Sequence, residues 1–229
     1  MSDILKQQIS YYQARATEYD EWWYSQGRYD RGEVLNRQWE QEGQIVRDAL
    51  HKIPARKHIL ELAPGTGIWT QELLKIGEQI TAVDASSEMI AINRAKCQSD
   101  RVNYIQADLF EWQSDQQFDM IFFGFWLSHV PPEKFQDFLK RVSAMLKPDG
   151  VLFMVDSLRN KMATAKNQNM LETSHIHHRI LNDGSEFQII KVFYQPDALQ
   201  SDLKRVKINA DVLTTPQFFI YAQGRKAKE

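Results

Sequence analysis

The segment Ile59-Leu60-Glu61-Leu62-Ala63-Pro64-Gly65-Thr66-Gly67 decides how the rest of the chain is read. Residues 58–62 form a short, mostly apolar run that Ala63-Pro64-Gly65 breaks, so a buried strand ending in a tight turn is predicted. Residues 69–76 then carry apolar side chains at helical spacing, with Gly77 as the stop. Glycines between a strand and a helix let the backbone come close to a ligand and make a turn that side chains would obstruct. Ordinary turns share such bends, so a second feature has to support this one. The next strand, 79–83, runs into Asp84 about twenty residues further on, where an acid can accept hydrogen bonds from both hydroxyls of a ribose.

The alternation continues outward from this unit. Ser86 or Ser87 can cap a helix over 88–97. Residues 102–106 and 118–124 read as the third and fourth strands. Residues 133–146 read as a helix whose apolar face holds Phe135, Phe138, Leu139, Val142, Met145 and Leu146. Pro148-Asp149-Gly150 is a turn before an almost wholly apolar fifth strand at 151–155. Strands apolar on both faces and separated by helices imply a parallel sheet covered on each side.

The flanking regions break that rhythm. Residues 1–52 read as a helical cap rich in aromatics, with Tyr11, Tyr12, Tyr19, Trp22, Trp23, Tyr24, Tyr29 and Trp39. Residues 58–157 form the central unit, and 158–194 read as an insertion. Within it 159–173 is predicted helical, and 176–181 and 187–193 are joined by Asn182-Asp183-Gly184, a strong hairpin signal. In the remaining segment, 195–229, a helix over 195–203 starts at Pro196 and strands follow near 205–212 and 218–222.

The chain has 229 residues and a formal net charge of −2, with acids and bases mixed throughout. A single domain with a sizeable core is expected. Apart from Arg225, Lys226 and Lys228 there is no basic excess of the kind that grips a phosphate backbone. The one cysteine, Cys97, rules out a disulfide within the chain and argues against a cysteine zinc cluster. The opening MSDILKQQIS lacks the apolar stretch of a secretion signal, and no run of about eighteen apolar residues is present. A cytoplasmic protein is expected, monomeric or homodimeric, without nucleic-acid or membrane partners.

Residues 58–157 resemble the class I, Rossmann-like, S-adenosylmethionine-dependent methyltransferase family. Glu61-x-Ala63-x-Gly65-x-Gly67 looks like its first motif, and Asp84 matches its ribose-binding acid. Gln106-Ala107-Asp108 resembles the adenine-holding segment, with Asp108 accepting from the exocyclic amine. Phe118-Asp119-x-Ile121 resembles the fourth strand, and Leu146-Lys147-Pro148-x-Gly150 the turn into the fifth. Ala63 departs from the pattern by standing at the first glycine position, where a methyl group fits if the local dihedrals are ordinary. The third glycine of the dinucleotide pattern is missing, which disfavours a nicotinamide enzyme, and there is no P-loop signature.

The resemblance implies an α/β fold: a seven-stranded, mainly parallel sheet flanked by helices, its last strand antiparallel. An N-terminal helical cap and a β-hairpin insertion after the fifth strand would close over the substrate. It implies S-adenosyl-L-methionine as cofactor and S-adenosyl-L-homocysteine as product. The implied cofactor-binding residues are Glu61, Ala63, Gly65, Gly67, Asp84, Ala85, Met89, Ala107, Asp108, Leu109, Phe123 and Phe125. Resemblance to small-molecule members adds Tyr11 and Tyr19 near the methionine part, with Arg28 or Arg15 pairing its carboxylate.

Methyl transfer is an in-line displacement at a sulfonium carbon, so the protein mainly aligns donor and acceptor. A high-pKa acceptor also needs a base. Phe123, Phe125, Trp126, Ser128 and His129 follow the fourth strand and so lie near the transferable methyl. Trp126 is a candidate substrate contact, and His129 is the candidate catalytic base or substrate partner, since imidazole titrates near neutrality. The competing reading packs His129 against the helix entered at Pro131-Pro132. Asp156 is either a weaker carboxylate candidate or a cap. His175 and His177 would share a strand face, but no third ligand has suitable spacing, so no metal is expected. His177 and Arg179 alternate onto one face, which is either an ordinary exposed strand face or one that contacts an anionic group on a substrate. The expected reaction methylates O or N of a small acceptor with substantial apolar surface. The alternatives are a protein, peptide or RNA acceptor, or a non-catalytic domain that binds the cofactor.

Overall fold

The computed structural model describes residues 2–168 and 174–228. Helices α1 (Asp3–Arg15), α2 (Tyr19–Trp23) and α3 (Glu33–His51) precede the sheet. Then come β1 (Arg56–Leu62), α4 (Ile68–Leu73), β2 (Gly77–Asp84), α5 (Ser87–Cys97), β3 (Val102–Gln106), β4 (Phe118–Gly124), α6 (Pro132–Met145) and β5 (Leu146–Ser157). A hairpin of β6 (Ile176–Ile180) and β7 (Glu186–Ile190) leads to α7 (Pro196–Arg205), β8 (Ile208–Thr214) and β9 (Phe219–Lys226).

The sheet has seven strands in the order β3-β2-β1-β4-β5-β9-β8. Strands β1 to β5 run parallel, and β9 runs antiparallel to both neighbours. The expected sheet and its antiparallel last strand are therefore present, and β6–β7 form a separate two-stranded sheet. Strand order reverses at β1, which pairs with β2 on one side and β4 on the other. Beyond the carboxyl ends of those strands the connections diverge and leave a crevice.

Pleating sends alternate side chains of β4 and β5 to opposite faces. Ile121, Phe123, Leu152 and Met154 join the layer of α6 and α7, while Met120, Phe122 and Phe153 join that of α3 and α4. Burying each such side chain stabilises the fold by about 1.5–3 kcal/mol. The apolar stripe of α6 (Phe135, Phe138, Leu139, Val142, Met145) is buried where its helical spacing predicts. On α3, buried Glu42 accepts from the backbone N–H groups of Gln217 (3.1 Å) and Phe218 (2.9 Å) and from the Thr215 hydroxyl. That carboxylate pins the helix to the turn before β9.

Two expectations need correction. Over 159–168 there is only a short 3-10 turn at Lys161–Ala163 instead of a helix, and the rest of the expected helix, 169–173, lies outside the described residues. The backbone groups of this stretch are drawn elsewhere: Lys166 N–H bonds Arg28 O, and Arg31 donates to Thr164 O at 2.6 Å. Pro148-Asp149-Gly150 falls within β5, at a register irregularity opposite Phe118 and Met120. Among the described residues no helix is long and apolar enough to cross a membrane.

Helix α1 lies across the hairpin. Gln8 donates to His129 O (3.1 Å) and accepts from Ile190 N–H (3.0 Å), and the Tyr11 ring meets Phe187 edge-on at 5.7 Å. This contact forms a small apolar cluster of its own, around Tyr11, Leu181 and Ile189, apart from the two large ones that flank the sheet.

Candidate active site

After Leu62 the chain turns through left-handed backbone at Ala63 (φ +53°), Gly65 (φ +54°) and Gly67 (φ +92°). At Gly67 a Cβ would also sit 2.9 Å from the Asn93 amide carbon. Buried Asn93 donates to Gly65 O (3.1 Å) and Thr70 Oγ1 (2.9 Å), which ties the bend to α5. Ala63 does not have the ordinary dihedrals expected of a methyl-bearing residue. It holds a left-handed conformation that costs roughly 1–2 kcal/mol, fixed by its N–H bond to Val83 O at 2.9 Å.

Asp84 ends β2 directly against this bend. Its Oδ2 accepts from Gly65 N–H (3.1 Å) and its Oδ1 from Ser86 N–H (2.9 Å). Burial pushes its pKa up to about 6, and the backbone donors restrain that rise. Beneath it, Glu61 accepts from Thr70 Oγ1 at 2.8 Å, while its buried Oε1 has no partner. Burial pushes Glu61 to about 8, with Asp84 adding to the rise and Thr70 opposing it. Glu61 is therefore mostly protonated near neutrality.

A cavity of about 710 Å³ opens over the bend, lined by Ala63, Gly65, Asp84, Ala85, Met89 and Ser86. Asp108 and Leu109 from the end of β3 and Trp126 from the end of β4 complete its far wall. Asp108 Oδ1 accepts from Phe110 N–H at 2.8 Å, which holds the turn, and Trp126 packs on Phe110 with ring centres 5.4 Å apart.

A second cavity, of about 600 Å³, lies against the first. Tyr12, Tyr19, Phe125 and His129 line both. Arg15, Arg179 and Lys191 line the second alone, with Tyr11 and Tyr29. His129 Nδ1 is 2.6 Å from Ile190 O, and a carbonyl can only accept, so this nitrogen carries the proton. Nε2 then accepts from the Tyr12 hydroxyl, also at 2.6 Å. Burial, then Lys191, pushes the imidazole pKa well below its ordinary value, and burial pushes the Tyr12 phenol well above its own. The ring is neutral and the phenol protonated near pH 7.

Several expected cofactor contacts lie elsewhere. Arg28 lines neither cavity: it pairs with Glu18 and donates to Ile180 O, joining the cap to the hairpin. Tyr11 faces the second cavity only. Phe123 is turned into the core against Phe138, at 5.5 Å, because the strand pleat governs it; Phe125 escapes the pleat through its own left-handed backbone (φ +55°). Ala107 packs on the core beside the cavity, Gly67 caps α4, and Glu61 lines a smaller space under Ala63. Of the expected acceptor contacts, Trp126 lines the first cavity, and Arg179 lines the second, whereas His177 is buried at Phe193 (6.1 Å) outside both. Asp156 acts as a cap, accepting from Ser128 N–H at 2.8 Å, and its Oδ1 is 3.2 Å from Lys191 Nζ. Sequence reasoning missed Leu5, Gln8, Ile9 and Tyr12 of α1, which line the first cavity. Their i, i+3, i+4, i+7 spacing was a readable signal for one buried face.

Residues 59–150 match the family model described as a methyltransferase domain. A solved structure, the DhpI–SAM–HEP complex, aligns over 98% of this chain and 99% of its own, with 33% identity and a TM-score of 0.81. The chain belongs to the S-adenosylmethionine-dependent methyltransferases. The fold is also shared with the N-methyltransferase NodS of Bradyrhizobium japonicum bound to S-adenosylhomocysteine, at 15% identity over 96% of this chain and 98% of that one, with a TM-score of 0.65. The ubiquinone biosynthesis O-methyltransferase of Coxiella burnetii is 36% identical over 107 residues, 45% of each chain. The chain thus matches under half the length of that curated relative.

The cofactor of this methyltransferase is S-adenosylmethionine, and the residues at the first cavity suit it. A carboxylate, Asp84, lines that cavity where a ribose is expected, and in the smaller space under Ala63 the unpartnered Oε1 of Glu61 is a polar atom left for a neighbouring group or water to meet.

Proposed function

We propose that this methyltransferase moves the methyl group onto oxygen or nitrogen of a small molecule seated in the second cavity. The observation that carries the reading is the wall the two cavities share, Tyr12, Tyr19, Phe125 and His129. The cofactor supplies a methyl group already activated on a sulfonium. Asp84 holds the ribose, Asp108 the adenine, and the bend at Ala63–Gly65 admits the methionine part. Tyr12, Phe125 and His129 then flank the line of transfer, and α1 over the hairpin keeps water out.

Both nitrogens of His129 are engaged and burial weakens its basicity, so it fixes the Tyr12 oxygen at the junction and does not serve as a strong base. An acceptor with a lone pair available before transfer fits that arrangement. The near full-length likeness to the DhpI complex with SAM and HEP supports a small acceptor, and the partial likeness to an O-methyltransferase supports oxygen.

The test is transfer from methyl-labelled cofactor into a cell extract split into small-molecule and macromolecular fractions. Label is expected in the small-molecule fraction. Label confined to protein would replace this acceptor class with the peptide alternative. Bound cofactor with no labelled product in any fraction would leave a non-catalytic binding domain.

A further inference from the structure

We propose that the second cavity is an anion site, and that the acceptor is a small molecule whose carboxylate or phosphate-like group is seated against Arg15, with Arg179 and Lys191 beside it. This rests on the reading above and names the substrate class of the same site.

Arg15 carries the argument. Its side chain is buried, with 8% of the residue exposed, and it lines the second cavity without lining the first. Of its N–H donors one finds an acceptor, the Tyr29 hydroxyl at 3.2 Å, and its buried Nε has none. No carboxylate pairs with it among the described residues. The rings of Tyr19 (4.8 Å), Tyr11 (5.6 Å) and Tyr29 (5.8 Å) surround the guanidinium and offset part of its lost hydration, but ring faces do not fill its planar fork of donors. A buried guanidinium without a counter-charge is costly unless a ligand supplies one.

The neighbours agree. Lys191 Nζ donates to Ser128 Oγ (2.8 Å) and is held 3.2 Å from Asp156, which orients the ammonium at the wall. Arg179 comes from the inward face of β6, and Asn160 and Gln168 add neutral polar groups. No Asp or Glu lines this cavity among the described residues, whereas the first presents Asp84 and Asp108. An anion anchored at Arg15 would have its far end at Tyr12 and Phe125, where the methyl group is delivered.

The experiment titrates the protein saturated with S-adenosylhomocysteine with inorganic phosphate and, separately, acetate, at constant ionic strength, by calorimetry and thermal shift. At least one anion is expected to bind, and Arg15→Gln to weaken it by about tenfold or more, with homocysteine-nucleoside affinity within about twofold of wild type. Arg15→Lys, which keeps the charge but loses the fork, is expected to fall between the two and stands in if the Gln variant does not fold. A wild-type complex that takes neither anion overturns the proposal, as does Arg15→Gln binding anion like wild type. If Arg15→Gln weakens S-adenosylhomocysteine instead, the guanidinium serves the cofactor carboxylate and the acceptor site is refuted. Turnover of neutral acceptors in preference to acidic ones would also refute it while leaving the methyltransferase reading intact. Failure of the wild-type protein to bind the nucleoside would remove both.

Discussion

The two cavities share one wall but are made of different material. The first is cut into the ends of β1, β2, β3 and β4, where strand register and the loop bolted by Asn93 fix the groups that the sheet supplies, and α1 covers it. The second is closed by α1, the β6–β7 hairpin and the segment after β5, the first two joined through the small cluster around Tyr11. A donor common to a whole family can be bound by a rigid, shared frame. An acceptor peculiar to one enzyme is bound by pieces attached to that frame, which can change without disturbing it.

Substitutions in the frame should therefore cost most. Gly67→Val places a branched side chain at φ +92° with its Cβ against Asn93. The expected loss is about 3 kcal/mol, a fall in Tm of roughly 6–12 °C in a melting experiment, with weakened cofactor binding. A melt like that of wild type would mean that the bend is not under this constraint.

Asp84→Ala should weaken S-adenosylmethionine binding by on the order of 1–3 kcal/mol in calorimetry while leaving anion binding in the second cavity intact. The same group sets a pH dependence. The free carboxyl titrates at about 6, and ribose hydroxyls favour its ionised form. Affinity should accordingly be level above neutrality and fall as pH drops through 6, by no more than about tenfold per unit. Equal affinity at pH 5 and pH 8 would show that the Asp84 carboxyl titrates below that range, without the rise that burial is expected to cause.

The lid should respond differently. Tyr11→Ala removes the ring that joins α1 to Phe187. Hydrogen exchange in α1 and the hairpin is expected to speed up by about tenfold or more, while the sheet's protection and the main melt stay nearly unchanged. A uniform loss of protection throughout the chain would show that lid and frame unfold as one. The smallest effect is expected at Ala63. Glycine there relieves the left-handed strain but adds freedom to the unfolded chain, leaving a net gain of about 0.5–1 kcal/mol in denaturant unfolding.

The same contrast explains what could be read in the sequence. The frame was legible because strands buried on both faces must be apolar, and because a bend and an acid at fixed spacing are needed to hold a nucleoside. The bounds of the strands at 102–106 and 118–124 were right to the residue. Phe123 was misplaced because it was taken with the residues that follow the fourth strand, whereas it lies within β4 and the pleat turns it into the core. Arg28 could not be told from Arg15 in sequence: both lie in an aromatic cap, and only the fold gives one of them Glu18 as partner and leaves the other facing a cavity. Lys191 gave no signal because its position depends on Asp156 and Ser128, far away in the chain. The missing helix after β5 reflects tertiary hydrogen bonds to Arg28 and Arg31 that no local propensity records.

The most direct measurement is a crystal structure of the complex with S-adenosylmethionine. The ribose hydroxyls are expected on Asp84, and the sulfonium methyl at Tyr12, Phe125 and His129, directed into the cavity of Arg15. An adenosyl group bound away from the Gly65 bend, or a methyl group facing solvent or the core, would contradict the pairing of the two cavities.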